Sequence, residues 1–499
     1  VKPWQRFAAA LTTATFFYGG QLRQWTDPRN RFLEHWARSD AWSIVAGTAL
    51  LAAVLFVIRE VLARRAFTRR LVDHVFVALL GGGMISTFLT YPDYKSELLY
   101  LALLAVIVAS WCRPHLFIPL RIGQFALIFS PLAFIVSWQF VQYPEWVTPA
   151  ETPELSHPDH AASPVFIFVC DEWSYARSTE YGRFLPLFKH LNEFAEQAVT
   201  FDFALSPGPR TDVSIPRLLW QRGDDLQITA GASWWSAESG RIPTVDAPNI
   251  FRTARDNFYT TSLLGFYLPY RKMLGDSVDY CHAYLEHPKP DTFAGKLRAN
   301  ALRNITFQHD PLSRRTSRAL EASALPLSRA AFSAHWEKIN RALQRETLGL
   351  IQDCPPNQFA FIHLPLPHCP WVFNPDGTYR GAYRGERMSH DVDGYRRHLA
   401  YLDVVLGQFF NALSSAGKFD NAMIIVTSDH SWRLDYTFDG HLQDGEDLRH
   451  VPLFIKFPGQ HDAQRVFNKF ELLHLAPILK AVMEGQPEEA RNLLHHATP

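Results

Sequence analysis

Between residues 43 and 142 the chain carries four long apolar stretches, roughly 43–63, 72–92, 97–112 and 120–142, separated by short polar turns. No other feature narrows the fold as much. A helix needs about 20 consecutive apolar residues, within a range of about 17–25, to cross a bilayer. The first, second and fourth stretches reach that length; the third, between Glu97 and Arg113, is short but almost purely aliphatic. As buried core helices in such close succession they would need a large partner surface. A weaker stretch at 7–22, containing Gly19 and Gly20, reads either as a fifth span or as an unremoved secretory signal. Residues 1–142 are thus expected to form a transmembrane domain of about five helices, with four as the alternative.

The basic residues of the connections set the orientation. Arg59, Arg64, Arg65, Arg69 and Arg70 place the 59–70 connection in the cytoplasm, and Arg113 and Arg121 do the same for the third turn. The 91–97 turn, with Asp93, Lys95 and Glu97, faces out. The fourth stretch then delivers everything after residue 143 to the outer side. Residues 143–163, with Pro144, Pro149, Pro153 and Pro158, read as an extended tether. The chain does not begin with Met, which fits a processed or shortened N-terminus. The formal net charge is zero, so nothing draws the chain toward nucleic acid. Five cysteines (Cys112, Cys170, Cys281, Cys354, Cys369) are too few for a disulfide scaffold.

From residue 164 apolar runs of strand length alternate with helical patterns. Strands are expected near 165–170, 199–203, 260–266, 358–363, 423–428 and 452–456, and helices near 185–197, 330–352, 394–416 and 468–484. That is an α/β domain over 164–499, a mostly parallel sheet with helices on both faces. In such sheets ligands bind at the carboxyl ends of strands. Two runs end there in groups that hold metals. Met423–Val426 leads through Thr427 and Ser428 into Asp429 and His430, and Val165–Cys170 leads into Asp171 and Glu172. Hard oxygen and borderline nitrogen donors together suit a zinc-like ion. The bland alternative for Asp429–His430 alone is a helix-capping Asp beside a surface His.

Two further clusters carry candidate chemistry. Ser206–Gly223 makes a turn at Pro207–Pro209, and Thr211 then opens a helical run. A Thr there is usually an N-cap, but an oxygen nucleophile there would sit at the positive end of the helix dipole, which favours an incoming anion. Arg210 beside it is a candidate phosphate contact. His363–Pro370 fixes His368 between prolines, either as a solvated residue of a rigid loop or as an acid–base group. His441 and His450 follow the Asp429–His430 pair.

Taken together, these residues resemble the alkaline phosphatase-like and sulfatase-like superfamily, over about 164–460. Within it the chain looks most like membrane-anchored phosphoethanolamine and phosphoglycerol transferases, including lipoteichoic acid synthases. The resemblance rests on Val165–Asp171, the T-x-x-S-x-P segment Thr211–Pro216, P-H-x-P at Pro367–Pro370, T-S-D-H at Thr427–His430 and H-V-P-L…P-G at His450–Gly459. It implies that Asp171, Thr211, Asp429 and His430 hold a metal, zinc or else manganese or another divalent ion, and that Thr211 is the nucleophile. His368 and His441 match histidines on the substrate side or at a second metal position, and Arg210 lies where it can bind substrate.

The implied reaction moves a phospholipid head group through phospho-Thr211 onto a glycan or lipid acceptor, outside a bacterial inner membrane. The alternatives are a sulfatase-like or phosphodiesterase hydrolase with water as acceptor, and an inactive scaffold in envelope polysaccharide assembly. The chain departs from the transferase pattern in having Asp171 where Glu is usual and Ser431 where Gly usually follows S-D-H. Ser206–Arg210 reads S-P-G-P-R, unlike the formylglycine sulfatase motif, and Ser214 is a reserve nucleophile.

Overall fold

A computed structural model describes residues 38–62, 163–228, 233–237, 240–286, 292–306, 311–381, 391–433 and 447–496, with a few positions before residue 20. The expected spans at 72–92, 97–112 and 120–142 and the 143–162 part of the tether lie outside the described residues. Two compact units emerge: Val1–Pro144 with Lys289–Ser328, and Glu145–Pro288 with Arg329–Pro499.

In the first unit, helix α1 (Arg38–Leu62) contains Ser39–Leu62, a segment long and apolar enough to cross a membrane and the single such helix among the described residues. Trp42, Leu50, Val54, Val57, Ile58, Val61 and Leu62 are exposed along it, while Ala41, Ile44 and Ala52 are buried. Part of the 7–22 stretch packs on this helix. Ala10 and Ala14 are buried, Tyr18 donates its N–H to the Ala14 carbonyl at helical spacing, and the Phe7 and Phe56 rings lie 5.8 Å apart. A Cβ at Gly47 would come within 2.6 Å of the Tyr18 hydroxyl, so the small residue lets the two segments approach. Phe7 meets residue 56 and Tyr18 meets residue 47, so the pair runs antiparallel.

The second unit is built on a nine-stranded sheet. Its parallel centre comprises β1 (Val165–Asp171), β3 (Thr260–Phe266), β4 (Tyr280–Tyr284), β5 (Gln358–Pro367) and β6 (Met423–Ser428), in the order β6-β1-β5-β3-β4. The other flank is mixed. There β8 (Leu453–Lys456) runs antiparallel to β6, and β2 (Val199–Leu205) pairs with β7 (His450–Val451), β8 and β9 (Gln464–Glu471). Every residue of β1, β5 and β6 is buried, as expected for central strands covered on both faces. Each fully buried Ile, Val or Phe contributes about 1.5–3 kcal/mol.

Helix α6 (Val392–Ser415) covers one face with Leu399, Leu402, Leu406, Phe409 and Leu413 at three- and four-residue spacing. Its buried Asp403 accepts the backbone N–H groups of His190 and Leu191, at 3.0 and 2.9 Å, and so caps α2 (Lys189–Ala195) from a distance. Helix α3 (Thr211–Trp220) starts six residues after β2, and α5 (Pro311–Asp353) leads toward β5.

The apolar spacing predicts a helix over 468–484. Residues 464–471 instead form edge strand β9, and the helix α7 proper is Leu475–Met483. Register decides this: Gln464–Val466 and Lys469–Glu471 find backbone partners on β2, which outweighs a helical pattern that begins in earnest only at Leu472. Strand β4 and a small meander of Gln227–Ile228, Ser233–Ala237 and Gly240–Pro243 had no clear period in the sequence.

Candidate metal centre and nucleophile

Strands β1 and β6 lie side by side in parallel register, with Cys170 opposite Ser428, so their carboxyl ends deliver Asp171 and Asp429–His430 to one place. The Ser428 hydroxyl ties the ends together: it donates within reach of the Cys170 and His430 carbonyls, at 2.6 and 2.8 Å, and accepts the Trp173 N–H at 2.9 Å. Helix α3 brings in Thr211. Its Oγ1 lies 3.5 Å from Asp171 Oδ1 and 3.3 Å from His430 Nε2. His430 Nε2 is in turn 3.6 Å from Asp171 Oδ1 and 3.5 Å from Asp429 Oδ2. The ligand atoms of Asp171, Asp429 and His430 all fall within 4.8 Å of one another, and all three residues are buried.

Several observations show that these residues fit a divalent cation. Asp429 Oδ1 accepts the N–H groups of Glu172 and His430, at 3.2 and 2.8 Å, yet Oδ2 is buried without a hydrogen-bond partner. A buried carboxylate oxygen left so would be costly. His430 Nδ1 is 2.8 Å from the Ser431 carbonyl, which can only accept, so Nδ1 carries the proton and Nε2 turns its lone pair to the cluster. Two atoms each about 2.1 Å from one tetrahedral ion stand about 3.4 Å apart, close to the separations found. The electrostatics agree. Burial, then Asp429, pushes Asp171 well above the usual carboxylate range, and burial lifts Asp429 to about 6. Burial, then Arg433, holds His430 well below its ordinary value, so the imidazole is neutral. Two repelling buried acids beside a neutral imidazole make a site short of positive charge.

Glu172 follows a different course. Its backbone is left-handed, φ 63°, and its side chain is fully buried. Oε1 is 2.7 Å from Arg433 Nε, and Oε2 is 3.9 Å from His368 Nε2. The turn is held by Tyr395 of α6, whose hydroxyl donates to the Glu172 carbonyl at 2.7 Å and accepts the Ser174 N–H at 2.9 Å. His368 thus sits beside the cluster through Glu172. Burial works against its charged form, but Cys369, Glu172 and Asp171 raise its pKa well above the ordinary value. Deeper in β5, His363 accepts or donates a 2.7 Å bond with the Tyr270 hydroxyl and is pushed down to about 3, chiefly by burial.

The remaining candidates separate. Arg210 turns to Asp212, 3.2 Å away. Ser214 is one turn further along α3, and its buried hydroxyl has no hydrogen-bond partner. His441 lies outside the described residues, and His450 stacks on Tyr175 at 4.5 Å while bonding the Asp202 carbonyl. Arg433 was not singled out from the sequence. Four residues beyond Asp429, in a segment without period or motif, it gave no signal.

Three buried groups that could hold a metal ion thus meet a threonine hydroxyl at the carboxyl ends of parallel strands, where α/β sheets bind ligands. A family model described as Sulfatase matches residues 164–483, and the chain belongs to that family. No curated protein matches the chain. Among solved structures, the phosphonate monoester hydrolase of Agrobacterium radiobacter is 18% identical, with 64% of this chain and 74% of that chain covered, at a TM-score of 0.41. The sulfatase PsFucS1 from Pseudoalteromonas sp. is 14% identical, with 66% and 68% covered, at 0.44. An alkaline phosphatase superfamily protein from Vibrio parahaemolyticus is 14% identical, with 68% and 72% covered, at 0.38.

Proposed function

We propose that the chain is a metal-dependent hydrolase of phosphate or sulfate esters that works through a covalent Thr211 intermediate. The observation that carries this is Thr211 Oγ1, set 3.5 Å from Asp171 and 3.3 Å from His430 at the N-terminus of α3. Asp171, Asp429 and His430 would hold the ion, zinc in the first instance, which supplies positive charge that lowers the hydroxyl pKa and attracts the anionic ester. Thr211 gives up its proton to solvent and forms a bond from Oγ1 to phosphorus or sulfur as the bond to the leaving oxygen breaks. His368, kept protonated by its acidic neighbours, gives that oxygen a proton. Water then attacks the Thr211 ester and gives one proton back to His368; the bond from Oγ1 breaks, Oγ1 takes a proton from solvent, and the acid is released. Membership of the sulfatase family favours water as the acceptor.

The second reading is transfer of a phospholipid head group to a glycan or lipid acceptor. The apolar Ser39–Leu62 segment favours it, since a lipid donor is met at a bilayer face. Here the enzyme would be a multi-pass membrane protein with its catalytic unit on the outer side. Intact mass measurement after substrate addition tests the shared step. An adduct that maps to Thr211 and vanishes in Thr211→Ala is expected; turnover retained in that variant would place the nucleophile elsewhere. Labelled phospholipid then separates the readings, by free head group or by label on an acceptor.

A further inference from the structure

The segment Lys289–Ser328 interrupts the second unit yet clusters with the first. Its helix α4 (Phe293–Thr306) is fastened to the start of α1. Lys296 Nζ is 3.1 Å from Asp40 and donates to the Ser39 hydroxyl at 2.6 Å, and Asn300 Nδ2 donates to the Ser43 hydroxyl at 2.7 Å. Asp40 and Ser43 are buried, so this polar seat is part of the packing. Lys296 and Asn300 are four residues apart and share one helix face. Phe293, the first residue of α4, is 48% exposed. Near the same end of α1, Trp42 is 54% exposed. Trp settles at the level of lipid head groups, and Phe on a helix lying at the surface is taken up at the boundary of head groups and acyl chains. The insertion also carries seven basic against three acidic residues, a balance that suits an anionic lipid surface.

We infer that helix α4 of this insertion is a membrane-surface foot of the catalytic unit. It is seated on the Ser39–Ser43 end of the span, with anionic phospholipid head groups as its partner. This rests on Ser39–Leu62 crossing the bilayer. A topological consequence follows. The chain leaves the catalytic unit at Pro288 and rejoins it at Arg329 with no apolar run of membrane length between, so the foot stays on that unit's side. The Ser39 end of α1 therefore faces the catalytic side and the Leu62 end the opposite side. The arginines at 59, 64, 65, 69 and 70 then fall where a cytoplasmic connection would carry them. From Leu62 to the catalytic unit the chain must cross an odd number of times, which the three stretches at 72–92, 97–112 and 120–142 satisfy.

The test uses the full chain in sealed membrane vesicles of known orientation, with Cys112 and Cys281 replaced by Ser. Cysteines introduced one at a time, as Ser39→Cys, Leu62→Cys or the exposed Tyr181→Cys of the catalytic unit, then meet a membrane-impermeant maleimide while the native Cys170, Cys354 and Cys369 stay buried. Ser39→Cys and Tyr181→Cys should label from the same side and Leu62→Cys from the other. Leu62→Cys labelling with Tyr181→Cys would overturn the orientation while keeping the span. Labelling of all three from one side would remove the span and the foot together. A nitroxide at Phe293→Cys in nanodiscs containing anionic lipid should collide at least several-fold less with a soluble nickel chelate than one at Tyr181→Cys. Equal collision rates would leave Phe293 in water and overturn the lipid contact, even with the labelling pattern intact.

Discussion

Strands β1 and β6 lie next to each other, both are buried along their full length, and both end in a pair of polar residues. The two pairs are used differently. At β6, Asp429 and His430 both point into the cluster, one through an unpartnered Oδ2 and the other through Nε2. At β1, Asp171 joins them, whereas Glu172 turns through a left-handed backbone to Arg433. Adjacent residues on an extended strand alternate sides, so one of each pair is normally lost to a site. His430 is kept because the chain has left the strand at Ser428. Glu172 becomes the neighbouring anion that links Arg433 and His368 to the cluster. The ends thus divide the labour between the groups that could hold a cation and the groups around them.

Removing a cluster member gives the largest expected effect. Asp429→Asn and Asp171→Asn should each abolish turnover and lower the bound metal well below one ion per chain, by elemental analysis of purified protein. Thr211→Ala should abolish turnover with metal content largely retained, because two carboxylates and an imidazole remain. If Asp171→Asn kept full metal content, the ion would belong to the β6 end alone and the partnership of the strands would fail.

Arg433 tests the other half of the division. Removing one partner of a buried ion pair costs about 3–5 kcal/mol because the remaining charge stays buried. Arg433 keeps 19% of its side chain accessible, so Arg433→Gln should cost about 3 kcal/mol, the low end of that range. Denaturant unfolding should show this loss, and the double variant Arg433→Gln, Glu172→Gln should recover part of it. Metal content should survive in both. A metal loss as deep as that of Asp429→Asn would make Glu172 and Arg433 part of the cation site.

This contrast also marks what the chain disclosed before its structure. The two strand ends, Thr211 at a helix start and the alternation of strands and helices were legible because each is a local pattern: an apolar run, a carboxylate, a turn, a cap. Glu172 was visible as an acid, but its left-handed turn depends on Tyr395, 223 positions away in sequence. Arg433 takes its role from Glu172, 261 positions away. Strand β9 was misread as helix because its pairing with β2 is likewise long-range. In the first unit, composition indicated spans, but a seat for α4 on α1 depends on Lys296 and Asp40 meeting across 256 positions, which no window of sequence contains.

Proton release should follow the same division. Asp429 has a pKa raised to about 6, and cation binding needs its charged form. Below that value each ion bound must expel at least one proton, so apparent affinity should climb with pH, up to about tenfold per unit for one proton, and climb more slowly once Asp429 is ionised. Asp171, also raised, adds to the slope in the same direction. His430 is already neutral and adds none. Titration calorimetry at pH 5.5 and 7.5 in two buffers of different ionisation enthalpy measures the protons released. A count near zero at pH 5.5 would contradict the buried, uncompensated acids.

The smallest effect should come from loosening the β1 turn. Tyr395→Phe keeps the ring, which stacks on Trp432 at 4.3 Å, but removes the hydroxyl between the Glu172 carbonyl and the Ser174 N–H. Both backbone groups are buried, and leaving such a group unsatisfied costs about 1–3 kcal/mol. If Asp429 and His430 mainly hold the ion, metal affinity should fall by less than about tenfold, since a supporting group typically costs 10–100-fold, while turnover falls more through displaced Glu172 and His368. Measuring both on the one variant sharpens the comparison. An affinity loss larger than the loss of turnover would mean that the β1 end, through its strained turn, sets the cation's position as much as the β6 end does.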